Sequence, residues 1–173
     1  MKTELQQNVK NKIIRYDDFI KNEEYFKTEI PKAQNSDEKH INSIFNYYKE
    51  TLSYKRNFMA ICEYDNHIIG CATYIYYEEE KKYFLINVNT KKDFQHQGIA
   101  KNLIKFGNDK FFDLHNTPLY LWVNPKNIIA KNLYEALNFK KIDNYYPTLK
   151  FLQNEKEDIY CLKNYKKQLS NNI

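Results

Sequence analysis

Hydrophobic and polar residues follow one another with two distinct periods along this chain, and each period predicts one type of element. Period-two alternation or short apolar runs predict strands at 58–64, 68–77, 84–90 and 119–123. The dipeptide Asp65-Asn66 separates the first two and predicts a hairpin turn, because both residues tolerate positive φ. Ile13-Ile14 predicts an earlier strand, and 139–146 with 158–162 predict a closing hairpin with a long loop.

Apolar residues at helical spacing predict helices between these strands. The first begins at Asp17-Asp18 and ends before Pro31. Ser36 caps the second, whose apolar stripe is Ile41, Ile44, Phe45, Tyr48 and Leu52. The third begins at Ile99. The fourth follows its cap Asn127 and ends at Asn138, which accepts the left-handed conformation of a helix stop; its apolar stripe is Ala130, Leu133, Tyr134 and Leu137.

The segment Gln95-His96-Gln97-Gly98-Ile99-Ala100 joins the strand 84–90 to the third helix. A strand that enters a helix through a glycine turn directs several main-chain N–H groups at one point, and such an arrangement binds phosphate. Gly98 permits close approach of the main chain to a ligand, and Ala100 is nearly as small. The segment lacks the lysine and threonine of a nucleotide-triphosphate loop and the three glycines of a dinucleotide turn.

This turn and the helix after Asn127 together resemble the GNAT superfamily of acyl-CoA-dependent N-acyltransferases. That family has a Gln/Arg-x-x-Gly-x-Gly/Ala turn followed by Asn-x-x-Ala-x-x-Leu-Tyr-Glu-x-x-Gly-Phe, and this chain matches both in order and spacing between Tyr83 and Leu162, with Asn138 replacing the last glycine. The resemblance implies an α/β (α+β) fold with a mixed, mostly antiparallel central sheet of about seven strands flanked by about four helices. It also implies acetyl-CoA as co-substrate, without a metal.

The resemblance implies which residues hold acetyl-CoA. Main-chain N–H groups of the turn would bind the diphosphate, and the end of the strand 84–90 would pair with the pantetheine arm as an added strand does. A main-chain N–H there would polarise the acetyl carbonyl. The implied cofactor-binding residues are Val88, Asn89, Thr90, Gln95, His96, Gln97, Gly98, Ile99, Ala100, Lys101, Asn127, Ala130 and Lys131.

Tyr134 matches the tyrosine that the family commonly uses as general acid. A phenol of pKa about 10 is protonated at neutral pH and can donate to the departing thiolate. Tyr134 also lies on the apolar stripe of its helix, so a purely structural role in the core is the alternative.

The acceptor and the general base are less defined. Tyr145 and Tyr146 are similar to the paired tyrosines at the peptide entrance of ribosomal-protein N-terminal alanine acetyltransferases, but Trp122 stands where those enzymes carry a glutamate base. No carboxylate occurs between Tyr83 and Lys92. At pH 7 an α-amine is roughly 10–20% neutral and a lysine amine about 0.04%, so an enzyme without a strong base suits an α-amine.

Length and composition favour one domain over 1–173, with peripheral tails at 1–12 and 163–173. The sequence has no run of 18 apolar residues, which argues against a membrane span, and its polar N-terminus does not resemble a secretory signal. Cys62, Cys71 and Cys161 lack metal-site spacing and predict free thiols in a reducing cytoplasm. A net charge of +5 with scattered lysines and 22 acidic residues disfavours nucleic acid as a partner.

The sequence therefore predicts a cytoplasmic N-acetyltransferase that moves an acetyl group from acetyl-CoA to a primary amine by direct attack. Transfer through a cysteine is disfavoured, because no cysteine falls in either motif. A peptide or protein N-terminus is the leading acceptor; a small amine such as a polyamine or an antibiotic, or a lysine side chain, is the alternative. A module that binds acyl-CoA without catalysis is the alternative from another class. Either a monomer or a homodimer is compatible with the sequence.

Overall fold

The computed structural model describes residues 8–143 and 157–163, which contain seven strands and five α-helices. The strands are β1 (Lys10–Ile14), β2 (Phe58–Tyr64), β3 (His67–Tyr77), β4 (Lys82–Thr90), β5 (Leu119–Val123), β6 (Lys140–Lys141) and β7 (Asp158–Leu162). The helices are α1 (Tyr16–Lys21), α2 (Glu23–Ala33), α3 (Ile41–Ser53), α4 (Ile99–Leu114) and α5 (Ile128–Glu135). Short 3₁₀ turns lie at Glu38–His40 and Lys92–Phe94.

The seven strands form one mixed sheet in the order β1-β2-β3-β4-β5-β7-β6. The pairs β1–β2, β2–β3, β5–β7 and β6–β7 are antiparallel, whereas β4 and β5 are parallel, with Tyr83 opposite Leu119 and Phe84 opposite Tyr120. The predicted fold class is confirmed. The hairpin between β2 and β3 is confirmed as well, with φ of 49° at Asp65 and 60° at Asn66.

The described residues group into two compact units, the first formed by 8–75 with 87–108 and the second by 76–86, 109–143 and 157–163. In the first, the rings of Phe26 and Phe45 stack on Phe19, with centroid distances of 5.0 and 5.2 Å, at the centre of an apolar core. In the second, the Tyr83 ring contacts Phe111 at 5.1 Å, and both side chains are buried. The assignment of the whole chain to one domain stays a prediction.

The structure corrects the first predicted helix, which is two helices separated at Asn22. The Asn22 side chain donates to the Asp18 carbonyl at 2.9 Å and closes α1, while its own carbonyl accepts from Phe26 and opens α2. Pro31 does not stop α2, which continues to Ala33. A proline in the last turn removes one main-chain donor, and burial of Ile30 and Pro31 offsets that loss.

Two further boundaries differ from the prediction. Ser36 does not cap α3, because a 3₁₀ turn closed by the His40 N–H on the Asp37 carbonyl at 3.0 Å intervenes, and α3 begins at Ile41. Lys10–Lys12, predicted to belong to a peripheral tail, form the start of β1 and pair with Ile61–Glu63. Main-chain pairing with β2 determines this strand, since these three residues offer no apolar pattern of their own.

Candidate active site

The loop between β4 and α4 is held in place by the glutamines of the predicted turn. The Gln95 side chain donates to the Thr90 carbonyl at 3.1 Å, and the Gln97 side chain donates to the Asp93 carbonyl at 3.1 Å. Both amide groups therefore bond to the loop's own main chain. The structure gives these side chains a bracing role. The Gln95 N–H donates to the Lys92 carbonyl at 3.3 Å, so the predicted anion contacts fall to N–H groups later in the segment.

The main chain alternates in handedness before α4 begins. His96 has φ of 59° and Gly98 has φ of 78°, with negative φ at Gln97 between them. Such alternation is the backbone pattern of anion-binding nests. The first helical bond joins the Asn102 N–H to the Gly98 carbonyl at 3.0 Å, so helix geometry leaves the N–H groups of 99–101 without an intrahelical acceptor. A 16-residue helix adds its dipole to these donors, and the arrangement fits a diphosphate.

Side chains at this helix start leave the donors accessible. Ile99 is buried and anchors the helix, Ala100 is half-buried and small, and Lys101 is exposed. A Cβ built on Gly70 of β3 would lie 3.3 Å from the Ile99 side chain and 3.3 Å from the Asn89 carbonyl oxygen. The absence of a side chain at Gly70 therefore lets the end of β4 and the start of α4 pack closely on β3.

Asn35 fastens the end of β4 from a distant part of the sequence. Its amide nitrogen donates to the Thr90 carbonyl at 3.2 Å, and its amide oxygen accepts from the Lys92 N–H at 2.8 Å. Asn35 itself has φ of 56° in the loop after α2. Sequence reasoning missed this residue; its signal was an asparagine directly after a helix, which indicates a left-handed turn but no partner.

Asn87 interrupts β4 with φ of 49°, immediately before the residues predicted to bind the pantetheine arm. Upstream, Tyr83–Ile86 are buried without alternation, whereas Val88–Thr90 are half-buried. The Asn87 carbonyl accepts from the Cys71 thiol at 3.9 Å, and its side chain donates to the Tyr47 hydroxyl at 3.1 Å. A left-handed residue within a strand redirects the chain, so Asn87 determines the course of Val88–Thr90. Its sequence signal was a polar residue inside an apolar run.

The second motif begins and ends as predicted. The Asn127 side chain accepts from the Ala130 N–H at 3.1 Å and caps α5. Asn138 has φ of 66°, and the N–H groups of Asn138 and Phe139 bond to the carbonyls of Glu135 and Tyr134, each at 3.0 Å. These two bonds form a Schellman motif that fixes the last turn, on which Tyr134 lies.

Tyr134 is buried, with 8% of its surface exposed, and its ring meets Phe139 edge to face at 5.9 Å. Burial raises the pKa of its phenol to about 12. The hydroxyl is therefore fully protonated at neutral pH, as a proton donor must be.

Lys131 places its charge in an ion pair. Its ammonium lies 3.0 Å from Asp158 on β7, and Lys141 lies 2.6 Å from the other oxygen of the same carboxylate. Hydrogen bonds from Lys141 and Lys131 hold the pKa of Asp158 below its usual range. The Lys131 N–H donates to the Asn127 carbonyl at 3.0 Å, so any contact of Lys131 with a cofactor requires a rearranged side chain.

Trp122 belongs to an aromatic group on one side of β4 and β5. Its ring lies 5.2 Å from Phe84 and 6.2 Å from Tyr77, centroid to centroid. Tyr83, the neighbour of Phe84, instead contacts Phe111 of α4, and adjacent strand residues point to opposite faces. The group therefore occupies the face opposite α4. Tyr145 and Tyr146 lie outside the described residues.

The described residues contain no group of three or more histidine, cysteine, aspartate or glutamate side chains that could hold a metal. Over the same residues, no helix is long and apolar enough to cross a membrane.

A sequence profile of the acetyltransferase (GNAT) family matches residues 20–139, and the chain belongs to that family. It is an N-acetyltransferase that uses acetyl-CoA, as the two motifs implied. None of the curated proteins matches the chain.

Solved structures share the fold at low identity. The PaiA N-acetyltransferase of Thermoplasma acidophilum, in complex with coenzyme A, is 14% identical, with 90% of this chain and 98% of that chain covered and a TM-score of 0.59. The ribosomal-protein-S18-alanine N-acetyltransferase of Escherichia coli is 18% identical, with coverages of 88% and 90% and a TM-score of 0.60. An aminoglycoside acetyltransferase from an uncultured soil metagenomic sample, in complex with sisomicin, is 14% identical, with coverages of 85% and 100% and a TM-score of 0.59.

Proposed function

We propose that this acetyltransferase acts on a free α-amine at a peptide or protein N-terminus. The main-chain N–H groups at the start of α4 support the proposal for the cofactor, because N–H groups of a helix start that follows a left-handed glycine suit a phosphate. We assign the diphosphate to 95–101, the pantetheine arm to Val88, Asn89 and Thr90, and flanking contacts to Asn127, Ala130 and Lys131.

Tyr134 is the proposed general acid. The reaction forms a bond between the amine nitrogen and the acetyl carbon, and it breaks the bond from that carbon to sulfur. Tyr134 gives its proton to the departing sulfur, the amine nitrogen releases one proton to water, and the phenol regains a proton from solvent. A phenol with pKa near 12 is a weak donor toward a solvated thiolate, whose thiol has a pKa of about 8.5. Desolvation disfavours a thiolate, so exclusion of water from the site would raise the pKa of the coenzyme A thiol toward that of the buried phenol.

Two observations support an N-terminal acceptor. The sequence similarity of Tyr145 and Tyr146 to the paired tyrosines of alanine acetyltransferases points to a peptide, and the Escherichia coli neighbour is named for that reaction. The soil-metagenome neighbour favours the second candidate, a small polyamine or antibiotic, because that protein is an aminoglycoside acetyltransferase in complex with sisomicin.

Thiol release from acetyl-CoA tests both candidates. The purified protein is given the amide of Ala-Ala-Ala, spermidine or sisomicin, and free coenzyme A is followed with time. We expect turnover with the tripeptide amide at a higher kcat/KM than with spermidine or sisomicin. A higher kcat/KM for spermidine or sisomicin would replace the peptide acceptor by the small amine. Tight binding of acetyl-CoA without turnover of any amine would support the alternative that the protein binds acyl-CoA without catalysis.

A further inference from the structure

The two faces of the sheet in the first unit are covered by different helices. A Cβ on Gly70 would meet Ile99 and Leu103 of α4, and the Tyr74 hydroxyl donates to the Ile104 carbonyl of α4 at 3.2 Å. Cys71 lies between them on β3 and points to the opposite face, where it belongs to the same buried cluster as Tyr48 and Leu52 of α3. The helix α4, which follows the predicted anion-binding turn, therefore covers one face of the sheet in this unit, and α3 covers the other face.

Tyr47 and Asn87 meet on the α3 face. The Asn87 amide nitrogen donates to the Tyr47 hydroxyl at 3.1 Å. Tyr47 is 44% exposed, whereas its neighbour Tyr48 is 1% exposed and meets it edge to face at 5.3 Å. Asn87 is exposed too. The exposed Tyr47 phenol is therefore held by two contacts, the ring contact with Tyr48 and the hydrogen bond from Asn87. Asn87 directly precedes Val88 in the chain.

The hydrogen-bonding capacity of this pair suits an uncharged amine. The bond between them uses one amide N–H and one lone pair of the phenol, and leaves the Asn87 amide oxygen and a second phenol lone pair as acceptors. Neutral acceptors can hold the N–H groups of an amine while its lone pair stays available for attack. A carboxylate in the same place would favour the ammonium form and oppose attack.

We propose that Asn87 and Tyr47 form the acceptor subsite and take a neutral primary amine of ordinary α-amine pKa. The inference rests on the proposed function, because it places the thioester arm along Val88–Thr90, which directly follow Asn87. The subsite supplies no base. It orients the fraction of the amine that is already neutral, which at pH 7 is roughly 10–20% for an α-amine.

Three substitutions test the subsite in the full-length protein with acetyl-CoA and the amide of Ala-Ala-Ala. Tyr47→Phe removes the hydroxyl, and Asn87→Gly removes the amide while it keeps the left-handed φ. Each should raise KM for the peptide about two- to tenfold, the size of one neutral hydrogen bond, with KM for acetyl-CoA unchanged. Tyr54→Phe changes a phenol that is 60% exposed just after α3, and should leave both constants unaltered.

Asn87→Asp separates contact with the amine from a merely structural role. Aspartate also tolerates left-handed φ. Its carboxylate should raise the pKa of the bound amine, so the rising limb of the kcat–pH profile should move to higher pH by about one unit. An unshifted profile together with unchanged peptide KM in Tyr47→Phe and Asn87→Gly would overturn the subsite. A higher kcat/KM for Nα-acetyl-lysine amide than for the tripeptide amide would contradict the α-amine acceptor of the proposed function rather than the subsite alone. Absence of thiol release by the wild-type protein with every amine would instead defeat the proposed function.

Discussion

At the scale of single residues, Tyr134 is the one of the 16 tyrosines of the chain for which we propose a role in catalysis. Tyr134 lies in the last turn of its helix, is buried and contacts Phe139 edge to face, and these contacts hold the ring in place. Substitution by phenylalanine therefore removes the hydroxyl and leaves the ring where it is. Position and protonation can therefore be tested separately.

Tyr134→Phe should lower kcat by one to two orders of magnitude, because the departing thiolate loses its proton donor while the ring stays in place. Steady-state thiol release with saturating acetyl-CoA and peptide measures the effect. Tyr25→Phe is the matched control, because it also deletes a phenol hydroxyl, in this case one that donates to Glu63 at 2.9 Å. Equal kcat in Tyr134→Phe and wild type would mean that Tyr134 has only a structural role in the core.

The raised pKa of Tyr134 predicts the alkaline behaviour of the enzyme. The proposed general acid acts in its protonated form, and a pKa of about 12 keeps the phenol protonated across the range in which a free phenol of pKa about 10 would ionise. We expect kcat to rise with deprotonation of the amine and then stay level to pH 10. A fall of kcat between pH 9 and 10 that disappears in Tyr134→Phe would contradict this.

At the scale of elements, the proposed anion site depends on how β4 passes into α4. The proposed donors are main-chain groups, so their direction follows from the φ angles of the turn and cannot be altered by a change of side-chain charge. This makes Gly98 the position at which the site is most sensitive to a single methyl group.

Gly98→Ala should weaken binding of coenzyme A about tenfold. A left-handed conformation costs an L-residue about 1–2 kcal/mol, and relaxation of that strain turns the N–H groups away from the ligand. Titration calorimetry with coenzyme A measures the change. Asn66→Ala imposes similar strain at φ of 60° in the β2–β3 hairpin, and should lower the free energy of unfolding without loss of affinity. Equal affinity of Gly98→Ala and wild type would argue against the main-chain site.

At the scale of the whole molecule, the three thiols report global opening. Cys62, Cys71 and Cys161 are free and buried, and burial raises the pKa of each. Iodoacetamide requires an accessible thiolate, so all three should react at one slow rate that follows unfolding. Mass spectrometry of the labelled protein with time provides the rates.

Acetyl-CoA should slow this labelling. A ligand at 100 times its Kd stabilises the folded state by about 2.7 kcal/mol, which corresponds to about a hundredfold slower labelling through the unfolded state. Fast modification of one cysteine in the native protein, or labelling indifferent to acetyl-CoA, would contradict the expectation.

The sequence by itself determined features that depend on neighbouring residues. The period of β5, the asparagine cap of α5, the left-handed stop at Asn138 and the hairpin at Asp65-Asn66 are all as predicted. Each follows from local φ/ψ preferences and hydrogen bonds within a few residues. The two motifs likewise identified the family, because motif spacing is a property of the linear chain.

Only the tertiary structure decided the contacts between distant parts of the chain. Asn35 bonds to Thr90 and Lys92, 55 and 57 residues away, and Asn87 bonds to Tyr47, 40 residues away. The continuation of α2 through Pro31 and the raised pKa of Tyr134 also depend on burial by other elements. Partner choice and desolvation depend on how elements pack, and no local preference of the chain encodes them.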